Sequence, residues 1–545
     1  MKETSSAGKL LKGAALLTIA ALLTKLLGTL QKIPLQNIGG DGVFGIYNTV
    51  YPFYTLLLTL ATAGFPTAVS KFVAEQEAAE NRRGALQVLR VSGLVIVILG
   101  FIGAILLYMG APILAHWIGS KQLIPALRSA SPALIFVPAA AALRGYFQGL
   151  QNMLPTAVSQ VAEQALRVGV MIVLLMYFHT TGADDSTVAS GAMVGSAAGG
   201  VAGLIIMIYY WRRHQREVAI LTQENKQTAS LSVSNIRLIK ELLVYGIPIC
   251  LAALAVPLIG LVDTFTLPRL LQQGGIEEMS SLVQVGVYNR GIPLVQLVTM
   301  LGGSLSMLFI PLMAELKFKG EVAFIQSQTR LALRWFWLIG LASSAGLALL
   351  AEPINIMMYK DIAGTSALRW IALTAAPSTM VTITAALLQG LGAVRRPALH
   401  LAGAAVLKIL LNLLLVPQLG IDGAAIASLA AYSFAAALNL ALLLSTTSLR
   451  LRLKEAVLKP ALLVAALALA VLTLRLGTDA AGLLHGRRSA AAAESLLGVA
   501  LGAAVFAIGV LRLRVMTEQE LFALPKIGPK LVRWLRRLKL LPNRS

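Results

Sequence analysis

Charge is scarce in this chain. Of 545 residues only 13% are Asp, Glu, Lys or Arg, where a soluble domain of ordinary composition carries about a quarter. Acidic residues are scarcer still, 24 against 46 basic ones, for a net charge of +22. The single cysteine, Cys250, excludes a disulfide framework and a cysteine-based metal site, and in its apolar run it is expected to be a small buried hydrophobe. All five histidines lie at or near the ends of apolar runs, so a proton relay through an apolar interior lacks its usual parts. There is no Walker-type phosphate loop, no His-Glu-x-x-His and no nucleophile with a base at hand. The chain is therefore expected not to be an enzyme, nor to drive transport with ATP by itself. No small-residue cleavage site follows the first apolar run, so a cleavable signal is not expected.

What the chain has in abundance is apolar sequence: 57% hydrophobic residues and a mean hydropathy of +0.77. Runs of about 20 apolar residues recur from end to end, the length that crosses a bilayer as a helix. The expected fold is an all-α polytopic membrane protein of about fourteen transmembrane helices. Basic residues crowd alternate connections: Lys9 and Lys12, then Arg82 and Arg83, then Arg212, Arg213 and Arg216, then Lys317 and Lys319, then Arg395 and Arg396, then Arg450 and Arg452. By the positive-inside rule both termini lie in the cytoplasm. The segment 475–490, with Arg475, Arg487 and Arg488, breaks that alternation. The positive charge thus sets topology and meets anionic lipid rather than nucleic acid. At the C-terminal end, Lys530, Arg533, Arg536 and Arg537 alternate with Leu531, Trp534 and Leu535, as in a basic helix lying on a membrane surface.

An internal repeat organises the spans. Gly-Ile-Tyr-Asn at 45–48 with Pro52 matches Gly-Val-Tyr-Asn at 286–289 with Pro293, and Gln-Gly-Leu at 148–150 matches 389–391, both at an offset of 241. The expected organisation is two parallel six-helix lobes, 1–213 and 241–446, joined by a polar linker 214–240. A helix pair at 447–512 and the basic tail 513–545 follow.

Polar residues inside spans are costly and are the candidates for function. Arg290 stands a few residues inside the run 282–315, among Gly286, Gly291 and Pro293, and is expected to face a wet cavity where an anion can meet it. Lys25 and Lys32, seven residues apart, occupy one face of the first span, unless Lys32 only snorkels to the interface. Gln160, Glu163, Gln164 and Arg167 form a polar stripe on the fifth span, where Glu163 and Arg167, four apart, can neutralise each other. Arg144 closes the fourth span, Asp263 lies near the end of the seventh, and Lys408 and Asn412 mark the eleventh. Cations outnumber carboxylates, which suits a phosphate, diphosphate or carboxylate substrate.

These residues also carry a resemblance. Leu-Leu-Thr-Lys-Leu-Leu-Gly at 22–28, Gly-Phe-Pro-Thr-Ala-Val-Ser-Lys at 64–71, Leu-Arg-Gly-Tyr-Phe-Gln-Gly at 143–149 and Tyr-Asn-Arg-Gly-Ile-Pro at 288–293 resemble one branch of the multidrug/oligosaccharidyl-lipid/polysaccharide exporter superfamily. Within its polysaccharide-transporter branch the chain is similar to stage V sporulation protein B and the lipid II flippases of Gram-positive bacteria, over residues from about 10 to 450. The resemblance implies two lobes working by alternating access and export of an undecaprenyl-diphosphate-linked glycan across the plasma membrane, with a cell-wall polymerase as a possible partner. It also implies that Lys25 and Arg290 hold the diphosphate head. A further family arginine late in the first helix is replaced here by Gln31 or Lys32, and one on the second helix by a residue near Leu56. Some members bind sodium through helices seven, eleven and twelve; here Lys408 and Asn412 stand on the eleventh, so no cofactor is expected and sodium dependence is doubtful. The final helix pair resembles the addition that forms a groove for the polyprenyl tail. Two other readings remain open: a drug or small-solute antiporter, which needs deep carboxylates such as Glu163, and a non-transporting scaffold, in which the cations are dispensable.

Overall fold

The computed structural model describes residues 3–62, 64–222, 234–253, 255–450, 454–480 and 488–512. Residues 223–233 of the expected linker, 481–487 of the irregular segment 475–490, and the basic tail 513–545 lie outside the described residues. Among the described residues the structure is helical, with no strand. Eleven stretches among the described residues are long and apolar enough to cross a membrane. One of them, Leu16–Ala78, takes in the first two expected spans, while the eighth is broken at Arg290–Gly291 between two helices.

Packing divides the chain into two compact units, 1–289 with 412–420, and 290–411 with 421–545. The division does not follow the linker expected at 214–240. The helices after that linker still pack with the first unit, and the chain passes to the second at Asn289–Arg290.

The first unit contains α1 (Glu3–Leu30), α2 (Lys32–Thr62), α3 (Phe65–Ala78), α4 (Arg82–Ile118), α5 (Ile124–Ala130), α6 (Ala133–Gly149), α7 (Leu154–Thr180), α8 (Asp185–Thr222), α9 (Asn235–Ala253), α10 (Ala255–Gln273) and α11 (Glu278–Asn289). Gly40, at φ 77 and ψ 179, turns the chain within α2, a backbone conformation closed to residues with a Cβ. Asn81 caps α4, its Oδ1 accepting the Gly84 N–H at 3.0 Å. One core joins Val43, Phe44, Tyr47, Leu107, Leu127 and Leu175; another joins Phe72, Val88, Phe147, Met207 and Cys250. Cys250 is buried as expected, with its Sγ 3.2 Å from the Leu60 carbonyl oxygen and 3.3 Å from the Gly64 N–H. Outward, Phe101, Leu106 and Met109 of α4 are exposed, the apolar face that lipid covers.

α7 lies against α8 because α8 presents glycine every fourth residue. A Cβ on Gly195 would meet the Arg167 carbonyl oxygen at 2.6 Å, and one on Gly199 the Glu163 carbonyl oxygen at 2.6 Å. In lipid, where no hydrophobic effect drives helices together, such close backbone approach supplies the packing energy.

The second unit contains α12 (Ile292–Lys319), α13 (Val322–Leu349), α14 (Ala351–Tyr359), α15 (Thr365–Leu373), α16 (Ala375–Gly390), α18 (Ile421–Thr447), α19 (Lys459–Ala480) and α20 (Arg488–Arg512). Between α16 and α18 runs α17 (Arg395–Leu419), whose residues from Asn412 onward group with the first unit. Its core joins Met313, Phe336, Met380, Leu387 and Leu443. Two of the basic residues that break the charge alternation at 475–490, Arg475 and Arg488, are structural here. Arg475 donates to Glu494 at 3.0 Å, to Glu352 at 3.2 Å and to the Leu349 carbonyl at 2.9 Å. Arg488 donates to the Met357 carbonyl at 2.8 Å, near the C-terminal end of α14. The two arginines thereby fasten α19 and α20 onto the α13–α14 corner.

The repeat is visible in detail. Asn48 and Asn289 each donate to the carbonyl four residues back, at 2.7 Å in both copies. A Cβ on Gly149 would meet the Ser70 carbonyl oxygen at 2.7 Å, and one on Gly390 the Ile310 carbonyl oxygen at 2.6 Å, a partner 240 residues later.

Candidate functional site

The polar stripe of α7 is the densest cluster of ionisable groups in the first unit, and its pairing differs from expectation. Glu163 does not neutralise Arg167. Its Oε2 instead takes the Arg144 guanidinium from α6 at 2.6 Å. Ser159 accepts from the same guanidinium at 2.7 Å and donates to the Gly203 carbonyl at 2.9 Å. The reason is space: a Cβ at position 203 of α8 would stand 2.9 Å from both Arg144 Nη2 and Glu163 Oε2. Gly203 opens the slot through which Arg144 reaches across, and Ser159, accepting from the same guanidinium, holds it against Glu163.

Arg167 is left among tyrosines. Its guanidinium carbon lies 5.2 Å from the Tyr51 ring centre and 5.5 Å from that of Tyr54, and Nη2 reaches the Tyr47 hydroxyl at 3.4 Å. Only 8% of the residue is exposed, and its Nε–H has no hydrogen-bond partner. Gln160, Glu163 and Gln164 on the same face are half-buried. Lys25 is exposed on α1, whereas Lys32, at 7%, is buried. The two lysines therefore do not present one common surface, because the helix is interrupted between them at Gln31, three residues before Pro34, whose missing N–H leaves a gap in the helical ladder.

A second polar cluster involves Asp263 of α10. The Tyr288 hydroxyl of α11 donates to Asp263 Oδ2 at 2.8 Å, and Asn412 Nδ2 donates to Asp263 Oδ1 at 3.2 Å and to Thr266 at 2.8 Å. Asn412 is fully buried and its Oδ1 has no partner. Lys408, 2% exposed, stands one turn earlier on the same helix. Among the described residues no group of three or more His, Cys, Asp or Glu is placed to hold a metal ion.

Arg290 departs furthest from expectation. It lies in the turn between α11 and α12 and is fully buried, not directed into an open cavity. Asp361, in the turn after α14, takes it in a two-point ion pair, at 2.5 Å from Nη1 and 3.0 Å from Nη2. Asn355 Oδ1 and the Ala363 carbonyl accept from it at 3.2 and 3.3 Å, Tyr359 lies under it at 5.3 Å, and the Tyr359 hydroxyl donates to the Arg290 carbonyl at 2.9 Å. Burial pushes the Asp361 carboxyl up, but the Arg290 guanidinium and the Ala363 N–H together hold it below the usual carboxylate range. A guanidinium at a helix break in an apolar setting needs its charge met, and a short carboxylate-bearing turn does it.

Asp361, Ser159 and the three tyrosines were not singled out from the sequence. Tyr47, Tyr51 and Tyr54 do carry a signal, since spacings of four and three put them on one helical face. Asp361 carries none: it is a lone acid in a short loop.

Comparison with known proteins follows the same lines. The polysaccharide biosynthesis protein family matches residues 10–317. The membrane protein YabM of Bacillus subtilis (strain 168) is 34% identical over 537 residues, covering 96% of each chain. Lipid II flippase MurJ of the same organism is 26% identical over 440 residues, 78% of this chain and 80% of its own. Among solved structures, lipid II flippase MurJ in an inward closed conformation superposes with a TM-score of 0.63 at 13% identity, over 91% of this chain and 98% of that one. By sequence, by its helical architecture and by these likenesses, this polytopic membrane protein belongs to the polysaccharide biosynthesis protein family.

Proposed function

We propose that the chain is a flippase of the plasma membrane that carries an undecaprenyl-diphosphate-linked cell-wall glycan precursor from the inner to the outer leaflet by alternating access. The observation that carries this reading is the identity of 26% to a lipid II flippase along 78% of the chain. Physical chemistry supports it. A diphosphate bared to hydrocarbon costs many kcal/mol, so a carrier must replace its water with fixed polar groups. The first unit offers such groups in Lys25, Lys32, Gln160, Gln164 and Arg167, on helices whose outer faces are apolar. The polyprenyl tail stays in lipid. A cell-wall polymerase is the kind of partner that would consume the product.

Arg290, locked to Asp361, serves in this reading as an anchor at the break between α11 and α12 rather than as a ligand of the substrate. Lys408, one turn before Asn412 on the same helix, stands in this reading in place of a coupling cation. A drug antiporter fits less well, because the deep carboxylate it needs, Glu163, is engaged by Arg144.

The test is transbilayer movement of labelled undecaprenyl-diphosphate glycans in proteoliposomes. The expected result is protein-dependent flipping; movement no faster than in empty liposomes, for every lipid-linked glycan offered, ends the proposal.

A further inference from the structure

We propose that Arg167, with Tyr47, Tyr51 and Tyr54 around it, forms an anion site in the first unit that takes a phosphate group. That the phosphate belongs to the transported headgroup rests on the flippase reading; the site itself requires only an anion of this chemistry.

A guanidinium has five N–H donors. Arg167 makes one long hydrogen bond, to the Tyr47 hydroxyl at 3.4 Å, and its Nε–H is buried with none. No carboxylate pairs with it among the described residues, since Glu163, one turn away, is held at 2.6 Å by Arg144 and Ser159 shares that same guanidinium. Ring faces at 5.2 and 5.5 Å soften the loss of water around a buried cation but do not replace a counter-charge. Beside it Gln31, 3% exposed, reaches the Tyr47 hydroxyl and so helps to fix that ring next to the guanidinium.

This is the arrangement of a cation waiting for its anion. A phosphate can accept from the guanidinium at two points, as phosphates do from arginine. The Tyr51 and Tyr54 hydroxyls are further donors, and Tyr51 is only half-buried. Half-buried Gln160 and Gln164, on the same face of α7, leave polar surface leading to the site. A scaffolding cation would instead have its charge met, as Arg144 in the same unit does, donating to Ser159 from Nε and Nη2 and to the Glu163 carboxylate from Nη2.

The test uses the full-length protein in nanodiscs, inorganic pyrophosphate as the probe, and Arg167→Met and Arg167→Lys as variants. Arg167→Met is expected to weaken pyrophosphate binding at least about tenfold and Arg167→Lys to retain part of it, because one charge-assisted contact survives. Ligand-free Arg167→Met is expected to melt at the wild-type temperature or above, since an unmet charge has been removed. Wild-type-like binding by Arg167→Met, no binding by the wild type, or a lowered melting point (failure to fold included) each overturns the site. Parallel flipping assays keep the two proposals apart. Flipping by the wild type with Arg167-independent pyrophosphate binding sinks the site alone; Arg167-dependent binding without flipping sinks the flippase reading alone.

Discussion

Gly45 and Gly286 hold the same position in the two copies of Gly-x-Tyr-Asn, and each lies against the backbone of the other's helix. A Cβ on Gly45 would run into the Leu282 carbonyl oxygen, and one on Gly286 into the Asp41 carbonyl oxygen. Asp41 and Leu282 are related by the same offset of 241 as the glycines. The contact is reciprocal, as a local two-fold relation between repeats requires. Both α2 and α11 belong to the first unit, so the crossing holds the beginning of the second repeat to the first.

Adding a methyl group there should open the crossing. Gly45→Ala and Gly286→Ala each place carbon where a carbonyl already stands, and backbone cannot yield as a side chain can. Cysteine cross-linking of α2 to α11, in a background lacking Cys250, is expected to fall sharply in both variants, and flipping with it. Wild-type cross-linking in the alanine variants would show that the helices do not approach this closely.

Arg144 and Glu163 form a mostly buried pair, their side chains 9% and 18% exposed, so their loss should be strongly non-additive. Arg144→Met or Glu163→Gln alone strands a charge or a polar group and is expected to cost about 3–5 kcal/mol at the upper end, the range for a broken buried pair. The double variant should recover most of that loss, and a coupling of about 1–3 kcal/mol is expected from a double-mutant cycle. Gly203→Ala should act like the single variants by closing the slot between them. Additive losses in melting experiments would argue that the two residues do not act as a pair.

The Arg290–Asp361 pair makes a prediction in pH. The Asp361 carboxyl is held below its ordinary value in the folded protein, so its stabilisation is present above about pH 4, the unfolded value, and fades as pH falls through the folded value. Asp361→Asn removes the charge partner of a fully buried guanidinium. It should cost about 1–3 kcal/mol at neutral pH, less than a wholly buried pair because the carboxylate is 49% exposed. The melting-temperature gap between wild type and Asp361→Asn should narrow on acidification below about pH 4. A gap that stays constant down to strong acid would remove the ion pair as its cause.

Lys408 predicts the ion requirement. With an ammonium one turn from Asn412, flipping by the native protein should be indifferent to sodium. Lys408→Ser removes that charge one turn from Asn412, whose Oδ1 is idle, and its stability or activity is expected to rise with added sodium salt but not with choline at equal ionic strength. A native protein that stops without sodium would refute the substitution of lysine for an ion.

Much of this molecule was legible in the order of its residues. Apolar runs and scarce charge dictate membrane helices, because a bilayer leaves the backbone no partner outside its own segment. The repeat at an offset of 241 was readable from seven matched residues, and the structure returns it as paired Asn48 and Asn289 bonds and paired Gly149 and Gly390 contacts. The polar residues inside spans were also findable, since each is costly there. Their partners were not. Arg290 reads as a free cation until Asp361, 71 residues later, is seen beneath it; Glu163 reads as the partner of Arg167 until Arg144 arrives through the gap left by Gly203. Sequence spacing fixes which side chains share a helix face, while pairing across helices depends on which backbones approach closely enough. That was decided by glycines on α8 and by a short loop, and only the packed structure brings them to the charges they serve.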